Sequence, residues 1–171
     1  YGDGWIIKIK PEDEIYNSRV KIEIQTDDPE GIKSVEYKVD GSDWKNMDNQ
    51  NGNIFATYWT PYTDGWHDLL IRSTDNQDYS TNLSTMFETD SNPPYISLNS
   101  NTYDISANAN FEINVQDYSD LETLRYRIDG QQWINLDETQ YDVSFVWDSR
   151  KYEDGECLLD IECIDEWGAT N

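Results

Sequence analysis

The sequence predicts an all-β chain of two tandem antiparallel β-sandwich domains, residues 1–90 and 91–171, the second lacking its last strand within this chain. Three observations lead there. The chain repeats itself at a spacing of about 89 residues, so that Tyr37 answers to Tyr126, Asp40-Gly41 to Asp129-Gly130, and Trp44 to Trp133. Further along, Trp59 pairs with Trp147, Asp64-Gly65 with Asp154-Gly155, Leu69 with Leu159, Ile71 with Ile161, and Asp75 with Asp165. A repeat of that length is too long for a solenoid unit and suits a whole domain. Apolar residues recur with period two and nowhere with period 3.6, which selects strands over helices. Finally, turn-forming pairs such as Asp40-Gly41, Asn51-Gly52 and Asp64-Gly65 separate the alternating runs at hairpin spacing.

Taken in order, the first copy alternates over Trp5-to-Lys10, Val20-to-Thr26, Ser34-to-Val39, Asn53-to-Thr60, His67-to-Thr74 and Ser84-to-Thr89, with a weak strand near Trp44. Short strands punctuated every 8–12 residues or so describe an antiparallel sandwich. Thr89-to-Pro94 reads as a semi-rigid linker, because its two prolines fix their own φ and restrict the residue before them. The second copy runs through Tyr95-to-Leu98, Asn110-to-Gln116, Thr123-to-Ile128, Tyr141-to-Trp147 and Cys157-to-Ile164. It then reaches Asn171 in the loop where the first copy still has a strand to come. The expectation is an incomplete C-terminal edge, with the missing strand either covalent in a longer chain or donated by a neighbour. With Tyr1 in place of a Met, the chain reads as a processed product or a piece of something larger.

Composition narrows the function. Aromatic residues make up 13% of the chain, including 7 Trp and 12 Tyr, and large rings can fill a thin core although hydrophobic residues total only 36%. The 35 acidic residues outnumber the 12 basic ones, for a formal net charge of −23. That balance excludes nucleic acid, whose phosphates need cations to neutralise them, and disfavours anionic membrane surfaces. No direct membrane insertion is expected either, since no apolar run is long enough to span a bilayer. The acid load keeps the chain soluble and invites counter-ions, diffuse or bound.

Two patterns resemble a known family. One is the D…GI-x-S-V-x-Y-x-V-D-G-x-x-W run from Asp28 to Trp44; the other is DG-x-H-x-L-x-I-R-S-T-D from Asp64 to Asp75. Both recur in the second copy, from Asp120 to Trp133 and from Asp154 to Asp165. They resemble the Ig-like (fibronectin-III-like) tandem repeats of bacterial and archaeal cell-surface and surface-layer proteins. The resemblance implies an extracellular, non-catalytic structural protein: a spacer or S-layer building block contacting neighbouring domains and copies of itself. The alternatives are an adhesin or carbohydrate-binding module, or an accessory domain of a secreted hydrolase. The family's usual Gly-Asn after the last shared Asp is replaced here by Asn76-Gln77-Asp78 and by Glu166-Trp167-Gly168.

No catalytic residues are expected. His67, the one histidine, aligns with Cys157 and reads as an inward-facing core residue. No nucleophile elbow, phosphate loop or zinc-spaced cysteine set is present. Cys157 and Cys163, six residues apart on one expected strand, would be roughly 20 Å apart, beyond disulfide reach. They read as small core residues. The sharpest site is calcium. The expected loops place Asp117, Asp120 and Asp165 near the start of the second domain, and the linker adds Asp90 and Asn92. Clustered oxygens are what a hard cation takes, although no EF-hand spacing is present. No other cofactor is implied. The recurring Trp44, Trp133, Trp59 and Trp147 read as core and sheet-surface packing. Trp5, Trp66 and Trp167 have no counterpart and are candidates for a contact surface that stacks on polysaccharide or glycan. Asn82-Leu83-Ser84 is the one glycosylation sequon.

Overall fold

The computed structural model describes residues 5–10, 15–99, 105 and 107–171, with residues 5–10 as backbone alone. They divide into two compact units, Tyr1–Ser91 and Asn92–Asn171. Each is a pair of β-sheets with a shared apolar interior, and among the described residues no helix is long and apolar enough to cross a membrane.

In the first unit one sheet is ordered β1-β3-β7-β6, made of Trp5–Lys10, Val20–Asp27, Ile54–Trp59 and Asp48–Asn51. The other is ordered β2-β9-β8-β4-β5: Ile15–Tyr16, Ser80–Thr89, Gly65–Asp75, Ile32–Val39 and Lys45–Asn46. All pairings are antiparallel except β2 with β9. This strand order is that of an immunoglobulin-like sandwich. The alternation read from sequence fixes which face is inside. Val20, Ile22 and Ile24 of β3 are fully buried and meet Val35, Tyr37 and Val39 of β4 and Leu69 and Ile71 of β8 in one core. Lys21, between them in sequence, and Gln25, directly after Ile24, are exposed.

Among the described residues the second unit repeats the plan with fewer strands. One sheet is β10-β11-β14: Tyr95–Asn99, Asn108–Gln116 and Asp142–Asp148. The other is β13-β12-β15: Ile134–Asn135, Leu121–Ile128 and Leu159–Asp165. The register is the same as in the first unit. Tyr37 faces Ile71 across β4 and β8, and Tyr126 faces Ile161 across β12 and β15. Val35 faces Ser73 as Leu124 faces Cys163.

The Asp-Gly turns are built alike. Asp40 and Gly41 have φ of 50° and 70°, and Asp129 and Gly130 have 49° and 68°. Two successive positive φ values make the turn whose twist suits a hairpin, and glycine adopts the second without strain. Asp tolerates the first position because its carboxylate is engaged: Asp40 Oδ1 accepts from Asp68 N–H at 2.9 Å, and Asp129 Oδ1 from Leu158 N–H at 2.8 Å.

Where the copies differ, β9 is the reason. β8 is paired on both sides, by β4 and β9, whereas β15 has β12 on one side. On the other side, among the described residues, lies the tail: Cys163 and Asn171 exchange backbone hydrogen bonds of 3.3 and 3.1 Å, and Asp165 N–H donates to Ala169 O at 3.2 Å. Phe87 of β9 is buried against Trp59, His67 and Tyr16, and Leu69 and Ile71 are completely buried. Their counterparts Leu159 and Ile161 are only partly buried.

Three short strands, β2, β6 and β13, were not expected from sequence; β6 reads Asp-Asn-Gln-Asn and is exposed throughout, so it has no alternation to detect. The last strand starts at Leu159 and leaves Cys157 outside it, half-buried. Cys163 is buried as expected.

Phe87→Ala should destabilise the first unit by about 3–5 kcal/mol, the usual cost of truncating a core aromatic. Leu69→Ala should cost about 2–5 kcal/mol, and Leu159→Ala clearly less because its site is already open. Urea unfolding of the three variants checks the order.

Candidate functional site

The single histidine is the first place to look for chemistry. His67 is 3% exposed. Its Nδ1 lies 2.7 Å from Asp40 Oδ2 and its Nε2 2.9 Å from Thr89 Oγ1. The trio has the outline of an acid–histidine–hydroxyl relay. Burial removes that role: Thr89 is completely buried, and its hydroxyl donates to Thr63 O at 3.1 Å. A nucleophile with no path to a substrate and a spent proton is a core hydrogen-bond network. It ties the Asp40 turn to β8 and β9. In the second unit Cys157 takes the same place, its thiol held up first by burial and then by the hydrogen bond to Asp129.

Buried carboxylates form the second constellation. Asp165 is fully buried at the end of β15. Its Oδ1 accepts from Trp167 N–H at 2.8 Å and from Ala169 N–H at 2.9 Å, which shapes the loop after the strand. Its Oδ2 is buried and has no hydrogen-bond partner. The carboxylates of Asp117 and Asp165 approach within 4.8 Å, both inside the second unit. Two like charges so close, one without solvent, are costly unless something positive compensates them.

Asp120 stands outside this pair: it is exposed, and Tyr141 OH approaches its Oδ1 at 3.4 Å. Asn92 is exposed at the start of the second unit. Asp90 belongs to the first unit, where it is buried directly after β9 and its N–H donates to Tyr16 O at 3.0 Å.

Sequence reasoning missed that the first unit carries buried aspartates at the same two positions. Asp28 and Asp75 occupy the positions of Asp117 and Asp165, one repeat length earlier. Asp75 Oδ1 accepts from Gln77 and Tyr79 N–H at 2.7 and 2.9 Å, the pattern of Asp165. Asp28 Oδ1 accepts from Glu30 N–H at 2.8 Å, and its buried Oδ2 has no hydrogen-bond partner. The repeat alignment held that signal for Asp28, although its Asp sits among many acidic turn residues.

The tryptophans divide by face. Trp59 packs edge-on to Phe87, with ring centroids 5.4 Å apart, and Trp147 meets Phe111 and Tyr152. Trp44 and Trp133 lie on the outer sheet faces under guanidinium groups: Arg72 is 4.4 Å above the Trp44 ring, and Arg125 and Arg127 are 4.8 and 4.4 Å above Trp133. Glu36, Glu162 and Asp160 hold these arginines from the facing strands. Cation–π stacking and cross-strand ion pairs thus tile one face of each unit. Of the three tryptophans without counterpart, Trp66 is 60% exposed on β8, opposite Glu88, and Met86 of β9, opposite Asp68, is exposed too. Trp167 is half-buried in the loop closed by Asp165, and the Trp5 side chain lies outside the described residues. Asn82 is exposed on β9.

No protein-family model matches the chain, and no curated protein matches it. Solved structures do resemble it. Fibronectin(III)-like modules of Clostridium thermocellum CbhA match with a TM-score of 0.40 and 12% identity, over 98% of this chain and 88% of theirs. Dimeric latent PorU from Porphyromonas gingivalis matches with a TM-score of 0.43 and 13% identity, over 98% of this chain and 19% of that one. Titin domains A168–A170 match with a TM-score of 0.35 and 9% identity, over 90% of this chain and 56% of theirs. The immunoglobulin-like assignment rests on the strand order described above.

Burial pushes the Cys163 thiol up to about 11, helped by the nearby Asp117 and Asp165 charges. A thiol reagent at pH 8 should therefore modify half-buried Cys157 and spare Cys163 until the unit unfolds, as peptide mass mapping with and without urea would show.

Proposed function

We propose that the chain is a non-catalytic structural module of an extracellular cell-envelope protein, a spacer or building block of a surface array, and that Asp117 and Asp165 bind calcium. The observation that carries this reading is the duplicated sandwich, whose one histidine is spent in the core and whose arginines are spent on the sheet faces. His67, Asp40 and Thr89 lock a core, and the arginines pair across strands. The net charge of −23 suits a setting rich in salt or divalent ions. Partners of such a module are neighbouring domains of its parent protein and copies of itself.

Calcium fits the carboxylate pair by chemistry. A hard cation takes oxygen ligands, and the Asp165 Oδ2 offers a buried oxygen without a hydrogen bond. Asn92, exposed at the start of the same unit, supplies a further oxygen donor in the sequence. The exposed Trp66 and Met86 support the alternative of a carbohydrate-binding or adhesive module, since a bare indole on a sheet face can stack on a sugar ring. An accessory role beside a secreted hydrolase fits the same modular architecture.

Thermal unfolding in millimolar Ca²⁺ and then with excess chelator tests the cation. Binding at about 100 times Kd adds about 2.7 kcal/mol, which for a domain of this size raises Tm on the order of 10 °C. Asp165→Asn keeps the Oδ1 acceptor for the loop and removes the charge, so it should abolish the calcium response. An identical Tm with Ca²⁺ and chelator, and no change of mass by light scattering, would sink the cation reading. Retention on insoluble polysaccharide, lost in Trp66→Ala, would favour the adhesive alternative.

A further inference from the structure

We infer that the first unit has a calcium site of its own, in which Asp28 and Asp75 hold the ion over a floor made by the hydroxyls of Thr26 and Ser73. The site shares no residue with Asp117 and Asp165, so either one can fail without the other.

The strand register is the first ground. Thr26, the last inward-facing residue of β3, is completely buried, and Ser73 of β8 is 3% exposed. They meet across the two sheets, with hydroxyl oxygens 3.2 Å apart. Side chains two apart on an extended chain share a face, so Asp28 and Asp75 are the next inward residues on the same two segments. Both are buried, at 8% and 3% exposure. The loops that follow are joined to each other: Asn76 N–H donates to Gly31 O at 3.1 Å, and Asn76 Nδ2 to Glu30 O at 2.8 Å. One end of the first core is thus lined by four buried side chains that carry oxygen.

An unsatisfied oxygen is the second ground. Each aspartate turns its Oδ1 to its own loop, Asp28 to Glu30 N–H and Asp75 to Gln77 and Tyr79 N–H. The Oδ2 of Asp28 is buried and has no hydrogen-bond partner. Among the described residues no lysine or arginine forms an ion pair with either carboxylate. A buried carboxylate oxygen without donor or counter-charge is costly. A hard cation supplies the missing charge and takes carboxylate and hydroxyl oxygens alike, with water completing the shell.

The second unit shows that the polar floor is not required by the fold. Val115 and Cys163 stand there in place of Thr26 and Ser73, both buried, and pack as core. The hydroxyls are therefore particular to the first unit, directly beneath its carboxylates.

The test uses the full chain carrying Asp165→Asn. The calcium response that this substitution abolishes is the second unit's, and the first unit keeps its own. The amides of Glu30, Gln77 and Tyr79 donate to the two carboxylates and report the site by NMR. Millimolar Ca²⁺ should shift all three along one saturable curve, and excess chelator should reverse it. Adding Asp28→Asn should weaken that binding about tenfold or more, since a hard cation loses a charged ligand. With chelator present, the double variant should melt no lower than its parent, because the substitution removes a buried charge and keeps the Oδ1 acceptor. Three amides unmoved by Ca²⁺ would overturn the inference, leaving water or a proton as the partner of Oδ2. The same titration curve in the double variant would overturn it too. So would a clearly lower Tm of that variant in chelator, because the charge would then be satisfied without an ion.

Discussion

The long strands of the two units, β3, β8 and β11 among them, alternate an apolar inner face with a more exposed one, so each sheet is stable only while another sheet covers that face. The rest of the molecule depends on this constraint. In the first unit the triplet Val20, Ile22 and Ile24 is completely buried against β4 and β8, and the hydrogen-bonded turns, the outer ion pairs and the buried histidine all hang from that contact. With hydrophobic residues at only 36%, the chain has few such contacts to lose, and large rings supply much of the covered area.

The duplication makes the constraint visible by breaking it once. Ten residues of β9 separate a closed core from one with a groove beside Trp147. The same leucine and isoleucine positions go from fully buried to partly exposed without any change of residue type. Burial of a β-strand is thus a property of its neighbours.

Acidity has two roles in this protein. Part of the charge lies on exposed loops and keeps copies apart. Another part is inside: Asp28, Asp75 and Asp165 fold their own loops by accepting backbone N–H groups, as the exposed Asp40 and Asp129 do at the hairpins. The few arginines answer on the outer faces, where Arg72, Arg125 and Arg127 lie over tryptophan rings between facing carboxylates. A net charge of −23 is therefore compatible with a well-ordered fold, because much of the acid is given hydrogen-bond donors locally.

The sequence by itself determined the strands, the turns and the inner face of each sheet, because period two and the Asp-Gly pairs are local signals. It located β3, β4, β8, β11 and β12 to within a few residues, and it placed His67 and Cys163 inside. It missed β2, β6 and β13, whose pairing comes from neighbours and leaves no alternation behind. The tertiary structure alone decided which carboxylates meet. Asp117 and Asp165, 48 positions apart, approach because their loops lie together, while Asp120, nearer to Asp117 in sequence, points elsewhere. It also decided that Trp44 and Trp133 serve as platforms for arginine, and that Leu159 is half-open where Leu69 is closed. Proximity between distant segments is set by sheet order and register, and a single strand's pattern carries neither.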